Sequence, residues 1–194
     1  MAADDTKAVV AIHLAAFPGF FLTFLGPRFL RLLYSEAVAC GEIAIVAEAA
    51  GRPVGFVMGS AKPGGFYGQL VRRRLLAFAL AALPAVARRP GIVLRVARAL
   101  RRPAEGRKPE GTATLMSLGV DPTAQGLGAG RALVQAFLEA AGRRGACKVD
   151  LTTDQDGNER TNRFYAALGF RVARTIVTPE RRILNEYEID LPPR

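Results

Sequence analysis

Apolar positions along the chain change period several times, and each change marks an element. Residues 6–17 and Pro27–Ala39 carry apolar side chains at intervals of three and four, the spacing of one helix face. On the second of these, Phe29, Leu32, Leu33 and Val38 are predicted to face inward. The aromatic run Phe17-Pro-Gly-Phe-Phe separates the two helices as a loop. Strand-like runs over Ile43–Ala49 and Arg52–Ser60 flank Ala50-Gly51 and predict a hairpin. Thr112–Val120 is a further strand, stopped by Asp121-Pro122, after which Leu133, Ala136, Phe137 and Ala140 restore the helical spacing. Lys148–Thr153 reads as a buried strand and residues 158–168 as a short helix stopped by Gly169. Arg171–Thr178 and Arg182–Asp190 are two closing strands. This alternation, with hairpins at both ends, predicts an α/β fold in which helices cover a mixed sheet.

Residues 62–108 stand apart from that scheme. Leu70–Leu83 is helix-like and apolar nearly all round, while Ile92–Leu100 sets Val93, Val96, Ala97 and Leu100 against Arg95, Arg98 and Arg102. Pro84, Pro90 and Pro103 are expected to bound these pieces. The apolar piece is too short to span a bilayer but suits a helix lying on the core, on a second subunit or on a membrane surface.

Composition changes the picture in two places. A chain of 194 residues, 50% apolar, fills one sizeable core, so residues 1–194 are expected to form a single domain. The net charge of +10 would suit a nucleic-acid binder, but its distribution does not. Residues 62–108 hold twelve Lys or Arg against one acid, Glu105, whereas the remainder holds fifteen basic and sixteen acidic residues. The basic character belongs to the insertion, whose only aromatics are Phe66, Tyr67 and Phe78, too few to interleave as stacking platforms, so no nucleic acid is expected. Cys40 and Cys147 lack metal-like spacing and His13 is the single histidine, so no metal site is expected. Reduced thiols and an acidic N-terminus without a signal-like run point to the cytoplasm.

Two segments carry candidate chemistry. In the run from Val120 to Leu133, Gly126, Gly128 and Gly130 leave no β-carbons over the first free N–H groups of a helix, a place that suits a pyrophosphate. A plain turn and helix cap is the competing reading. A dinucleotide fingerprint needs a tight strand-to-glycine turn that is missing here, although Asp150 lies at a suitable distance. In the second segment Asn158, Asn162 and Tyr165 fall at i, i+4 and i+7 on one helix face, beside a core stripe of Phe164 and Leu168. There the competing reading is a half-buried aromatic with solvated asparagines.

Taken together, the two segments resemble a known family. Gln125-Gly-Leu-Gly-Ala-Gly130 is similar to motif A of the GNAT N-acetyltransferases, Gln/Arg-x-x-Gly-x-Gly/Ala. Asn158 to Phe170 fills the family's late motif, Asn-x-x-x-x-x-hydrophobic-Tyr-x-x-x-Gly-Phe. The resemblance covers residues 43–60 and 112–190 well, residues 1–40 in part and residues 62–108 not at all.

The resemblance implies a mostly antiparallel central sheet with helices on both faces, and a helical insertion between the third and fourth strands where the family has a short turn. It implies acetyl-CoA as co-substrate. The amides of Gln125, Gly126, Leu127, Gly128, Ala129, Gly130 and Arg131 would take the pyrophosphate, and the Leu118 and Val120 backbone and the Asn158 and Asn162 side chains the pantetheine arm. The Leu118 N–H would donate to the acetyl carbonyl and Tyr165 would be the general acid. No carboxylate lies on Thr112–Val120 to serve as base. Glu110, Asp154, Asp156, an ordered water, or His13 titrating near neutrality remain as alternatives. The expected reaction is direct transfer in a ternary complex to a primary amine on a small molecule, anionic if Arg95, Arg98 and Arg102 line its entrance, such as a nucleotide-linked amino sugar. The alternatives are a transferase of longer acyl groups and a non-catalytic CoA-binding or membrane-docking module. Residues 70–102 are the candidate contact for an anionic membrane, and a homodimer is a further arrangement.

Overall fold

The computed structural model describes residues 1–2, 4–61, 73–88, 108–178 and 181–192. Three helices lead the chain: α1 (Thr6–Ala16), α2 (Phe21–Leu25) and α3 (Pro27–Ala39). α2 starts at Phe21, the last residue of the run expected to be a loop, and adds a short helix that the apolar pattern did not predict. Gly26, at φ +86°, ends it, and Pro27 starts α3 at the first helical position, where its missing N–H costs nothing. The hairpin forms as expected, β1 (Ile43–Ala49) and β2 (Arg52–Ser60) turning through Ala50 and Gly51, both at positive φ. Helix α4 (Leu75–Arg88) follows, then β3 (Thr112–Val120), α5 (Ala129–Arg143), β4 (Lys148–Asp154), α6 (Glu159–Ala166), β5 (Arg171–Val177) and β6 (Ile183–Asp190).

The sheet order is β1-β2-β3-β4-β6-β5, antiparallel throughout except for the parallel β3–β4 pair. Among the described residues no strand precedes Ile43, because residues 6–39 are given over to helices. The insertion therefore lies between the second and third strands, not the third and fourth.

Two apolar clusters sandwich the sheet. On one side α1, α3 and α4 pack on Phe56 and Met58 of β2, and on the other α5 packs on Val57, Ala113 and Val149. The inward stripes are close to those expected but rotated. α3 buries Phe29, Leu30, Leu33, Tyr34 and Ala37, with Leu32 and Val38 only half-buried at its margins, and α5 buries Leu133, Val134, Phe137 and Ala141. In both helices the covered stripe is wide enough for an i+1 neighbour to join it, displacing Ala136 and Ala140 to its edge.

Pro84 was expected to end the apolar helix; instead it lies inside α4. Phe78, Ala82 and Ala85 are buried at i, i+4 and i+7 across it, and Phe78 meets Phe29 of α3 edge to face at 5.1 Å. Burial of that stripe offsets the roughly 3 kcal/mol that an interior proline costs. The expected helix Ile92–Leu100 lies outside the described residues, as do Pro90 and Pro103.

One glycine fixes the packing of β2 beneath α5. A β-carbon on Gly59 would collide with the Thr114 carbonyl and lie 2.6 Å from the Phe137 ring. Neither is the free end of a flexible chain, so Gly59→Ala is expected to cost about 3 kcal/mol or more, by overpacking between a ladder and a helix. Urea unfolding reads this directly. An unchanged midpoint would mean that α5 can lift off β2 at no cost.

Candidate active site

The site arises where two parallel strands part. β3 pairs with β4 only at Thr112, Ala113 and Thr114, against Lys148, Val149 and Asp150. Directly beyond, the β2–β3 register shifts and Met116 becomes the extra residue of a bulge. A bulge bends its strand and increases the twist, so the rest of β3 follows β2 and leaves β4 behind. The last shared rung is pinned from the side. Asp150, buried on β4, accepts from Thr114 Oγ1 at 2.6 Å and from Lys108 Nζ at 2.7–2.8 Å.

Beyond that rung a cleft of about 1000 Å³ opens between Leu115–Leu118 and Val120 on one side and Leu151–Asp154 on the other. The ladder shows which β3 backbone groups face it. Asp121 N–H donates to Val54 O at 2.8 Å, and in an antiparallel pair only alternate residues turn toward the partner. Gly119 and Ser117 share that parity and face β2. Leu118 and Val120 therefore aim their N–H and C=O groups into the cleft.

The strand then runs into the glycine segment. The Asp121 carboxylate accepts from Thr123 N–H at 2.8 Å and Thr123 Oγ1 at 2.6 Å, closing a single 3₁₀ turn over Pro122–Ala124. Those hydrogen bonds hold its carboxyl below the usual carboxylate range. Gly126 and Gly128 follow at φ +85° and +83°, a left-handed conformation that a β-carbon would strain. Gly128 is the N-cap of α5 and offers no side chain to the helix, and no acid occupies the first turn. The first intrahelical donor is Ala132, bonded to Gly128 O, so the N–H groups of Ala129, Gly130 and Arg131 are unused within the helix at its positive end. Gln125, Gly126, Gly128, Ala129, Gly130 and Arg131 all line the cleft. Leu127 is 78% exposed, its side chain in solvent and outside the lining.

The opposite wall is α6. Asn158 and Tyr165 line the cleft, as do Arg160 and Phe164, but Asn162 does not. Its amide oxygen accepts from Thr153 Oγ1 at 2.5 Å and its amide nitrogen donates to the Asp154 and Gln155 carbonyls at 3.1 and 3.2 Å. Asn162 thus fastens α6 to the end of β4. The expected shared face breaks because Asn158 is the N-cap, at φ −134° and ψ 29°, so helical spacing begins only at Glu159. At the other end Gly169, at φ +91°, closes α6: Phe170 N–H reaches Tyr165 O and Gly169 N–H reaches Ala166 O. This closure seats the Tyr165 ring against Phe164, Phe170 and Tyr187 at 5.1, 5.6 and 6.2 Å. Burial pushes its phenol well above the ordinary value, so it stays protonated.

The base candidates separate on position. Glu110 is exposed and sits before β3, at the end away from the parting. Asp154 lines the cleft but receives Arg182 on both oxygens at 2.6–3.0 Å. Asp156 is exposed and lies outside the lining. His13 lines the far end of the cleft with Ala16, Phe17, Phe20, Phe21 and Leu22. Its Nδ1 is 2.7 Å from Tyr34 Oη, its Nε2 is buried without a partner, and its ring lies 4.8 Å from Phe17. Burial lowers its pKa to about 4, so it does not titrate near neutrality as the sequence suggested, and it is neutral at pH 7.

That shift has a sign that unfolding can check. The depressed value contributes stability above pH 6.5 that is lost as pH falls toward about 4. At pH 5 the loss relative to pH 7 is expected to be about 2 kcal/mol, and His13→Phe should remove that share. Equal pH dependence in both proteins would show that the imidazole is hydrated in the folded state.

Sequence reasoning missed the aromatic wall, because the Phe17–Phe21 run reads as punctuation between helices. It also missed the Asp154–Arg182 pair, since nothing in the spacing joins residues 28 positions apart.

Residues 7–170 match the model of the Acetyltransferase (GNAT) family. A mycothiol acetyltransferase of Kineococcus radiotolerans is 47% identical over 68 residues, which are 35% of this chain and 22% of that relative. The chain thus matches about a fifth of that protein's length. Among solved structures, a ribosomal-protein-alanine N-acetyltransferase from Brucella melitensis superposes with a TM-score of 0.65 at 18% identity, covering 98% of this chain and 97% of that one. The Salmonella typhimurium protein yncA, solved with its cofactor acetyl-CoA, gives 0.63 at 16% identity, covering 100% and 92%.

Proposed function

This chain belongs to the GNAT acetyltransferase family, and from that premise we propose that it transfers the acetyl group of acetyl-CoA to a primary amine on a small molecule, directly and without a covalent enzyme intermediate. The observation that carries this reading is the parting of β3 from β4, with unpaired strand backbone on one side and a bare helix N-terminus at its end. An extended amide-bearing arm ending in phosphates suits both. The left-handed Gly126 and Gly128, the uncapped first turn of α5 and the absence of an acid there all favour an anion.

In this reading the N–H groups of Ala129, Gly130 and Arg131 hold the pyrophosphate, with those of Gln125 to Gly128 along the loop. Leu118, Val120 and the Asn158 side chain align the pantetheine arm, and Asn162 positions α6 without touching it. When bound, acetyl-CoA supplies a carbonyl carbon joined to a thiolate leaving group. The Leu118 N–H donates to the carbonyl oxygen as negative charge grows there. The neutral amine forms the C–N bond, the C–S bond breaks, and Tyr165 gives its proton to the departing sulfur. The amine's own proton leaves through water. Among the described residues that line the cleft, Asp154 is committed to Arg182 and Glu159 stands exposed at the start of α6.

The acceptor end favours an amine on an apolar body, because Ala16, Phe17, Phe20, Phe21 and Leu22 form its wall. An anionic acceptor rests on Arg95, Arg98 and Arg102, outside the described residues. The same wall suits an acyl group longer than acetyl. Release of free CoA, followed with a thiol reagent, tests the proposal across acetyl-, butyryl- and octanoyl-CoA, each with arylalkylamines, amino sugars and nucleotide-linked amino sugars. Amine-dependent release from acetyl-CoA supports it. Release independent of every amine, or none with any thioester, overturns it.

A further inference from the structure

Helix α4 buries one face and leaves the other bare. Phe78, Ala82 and Ala85 point to the core, while Leu75, Leu76, Leu80 and Leu83 remain 55%, 80%, 66% and 55% exposed. Leu76, Leu80 and Leu83 recur at i, i+4 and i+7, so they form one stripe, with Leu75 beside it. Scattered exposed leucines are ordinary on a protein surface, but an aligned stripe of four on one helix is a candidate contact.

Charge selects the occupant. Arg73 stands just before α4 and Arg88 closes it, while Arg74 is paired with Glu36 of α3 at 3.2 Å, and the sequence from residue 62 to 108 carries twelve basic residues against one acid. A second copy would bring a segment of the same strong positive charge against this one, which disfavours self-pairing through the stripe. A nucleic acid would meet the arginines but leave the leucines unburied. An anionic bilayer satisfies both, taking leucines at the headgroup boundary and arginines at the phosphates. No helix among the described residues is long and apolar enough to cross a membrane, so the contact is with its surface.

We propose that the leucine stripe of α4, with Arg73 and Arg88 towards its two ends, docks this protein on anionic lipid surfaces. α2 packs beside α4, and Phe20, at the start of α2, lines the cleft and is 48% exposed. Docking therefore brings the acceptor end of the cleft toward the bilayer.

Co-sedimentation of the full chain with vesicles tests the proposal, and it reads binding independently of acetyl transfer. Vesicles of phosphatidylcholine with 30% phosphatidylserine are expected to pull the protein down at ~0.1 M salt, and pure phosphatidylcholine not to. Raising salt to ~0.5 M should weaken the anionic binding about tenfold. Leu76→Gln with Leu80→Gln should weaken it roughly a hundredfold, while thermal melting stays unchanged because both side chains are already in solvent. A separate Arg73→Gln variant with Arg88→Gln should reduce binding to the anionic vesicles alone. Absence of binding to the anionic vesicles, or binding indifferent to the leucine pair, overturns the proposal. So does a dimer in sedimentation velocity that the leucine pair abolishes, because the stripe would then belong to a second copy.

Discussion

Tyr165→Phe is expected to lower kcat roughly 10²- to 10⁴-fold while the KM for acetyl-CoA changes little. The substitution removes one oxygen and leaves the ring, which packs against Phe164, Phe170 and Tyr187 and is 95% covered, so α6 and the Phe170 closure should persist. In the proposed mechanism, what disappears is the proton for the leaving thiolate. Because burial raises the phenol's pKa, the wild-type rate should not decline through the ordinary phenol range near pH 10 from ionisation of this group. Steady-state kinetics with acetyl-CoA and the best amine, together with CoA titration by calorimetry, separate chemistry from binding. A variant that turns over within a few-fold of wild type would remove Tyr165 from the reaction and leave water as the acid.

Much of this site can be read from the sequence because its parts obey local rules. The strand stop at Asp121-Pro122, the glycines at 126 and 128 and the closure at Gly169 each follow from backbone preferences of the residues themselves. The same holds for β1, β2 and β3, whose limits match the apolar pattern. What could not be read depends on partners distant in the chain. Pro84 stays helical because Phe78 finds Phe29, a contact across 49 positions. Asn162 turns from the cleft because Thr153 and two β4-end carbonyls hold its amide. The pKa of His13 falls because α3 and β2 bring Tyr34 and Phe56 over it, and no single-residue property of histidine reports that burial.

The strongest effect on cofactor affinity is expected at Gly128, and a neighbouring glycine supplies the contrast. Gly128 sits at φ +83° and ψ −5°, and a β-carbon there would meet nothing within 4 Å of the protein. Space is therefore not the obstacle; conformation is. An L-residue in the left-handed region costs about 1–2 kcal/mol, and a β-branched one more. Gly128→Val can keep the turn and bear that strain with isopropyl bulk over the cradle, or relax to negative φ and swing the Ala129 and Gly130 amides away. Both routes raise the Kd for acetyl-CoA, by about 10- to 100-fold for 1.4–2.8 kcal/mol. Gly130 differs, because its φ is ordinary and a β-carbon would lie 3.4 Å from Phe164 Cζ, in normal contact. Gly130→Ala should bind within about threefold of wild type, and it should melt no lower, since alanine is favoured over glycine in a helix by up to about 1 kcal/mol. If both substitutions weakened binding equally, the backbone conformation of the loop would not be what holds the phosphates, and the charge of Arg131 and Arg160 along the cleft would have to carry the affinity.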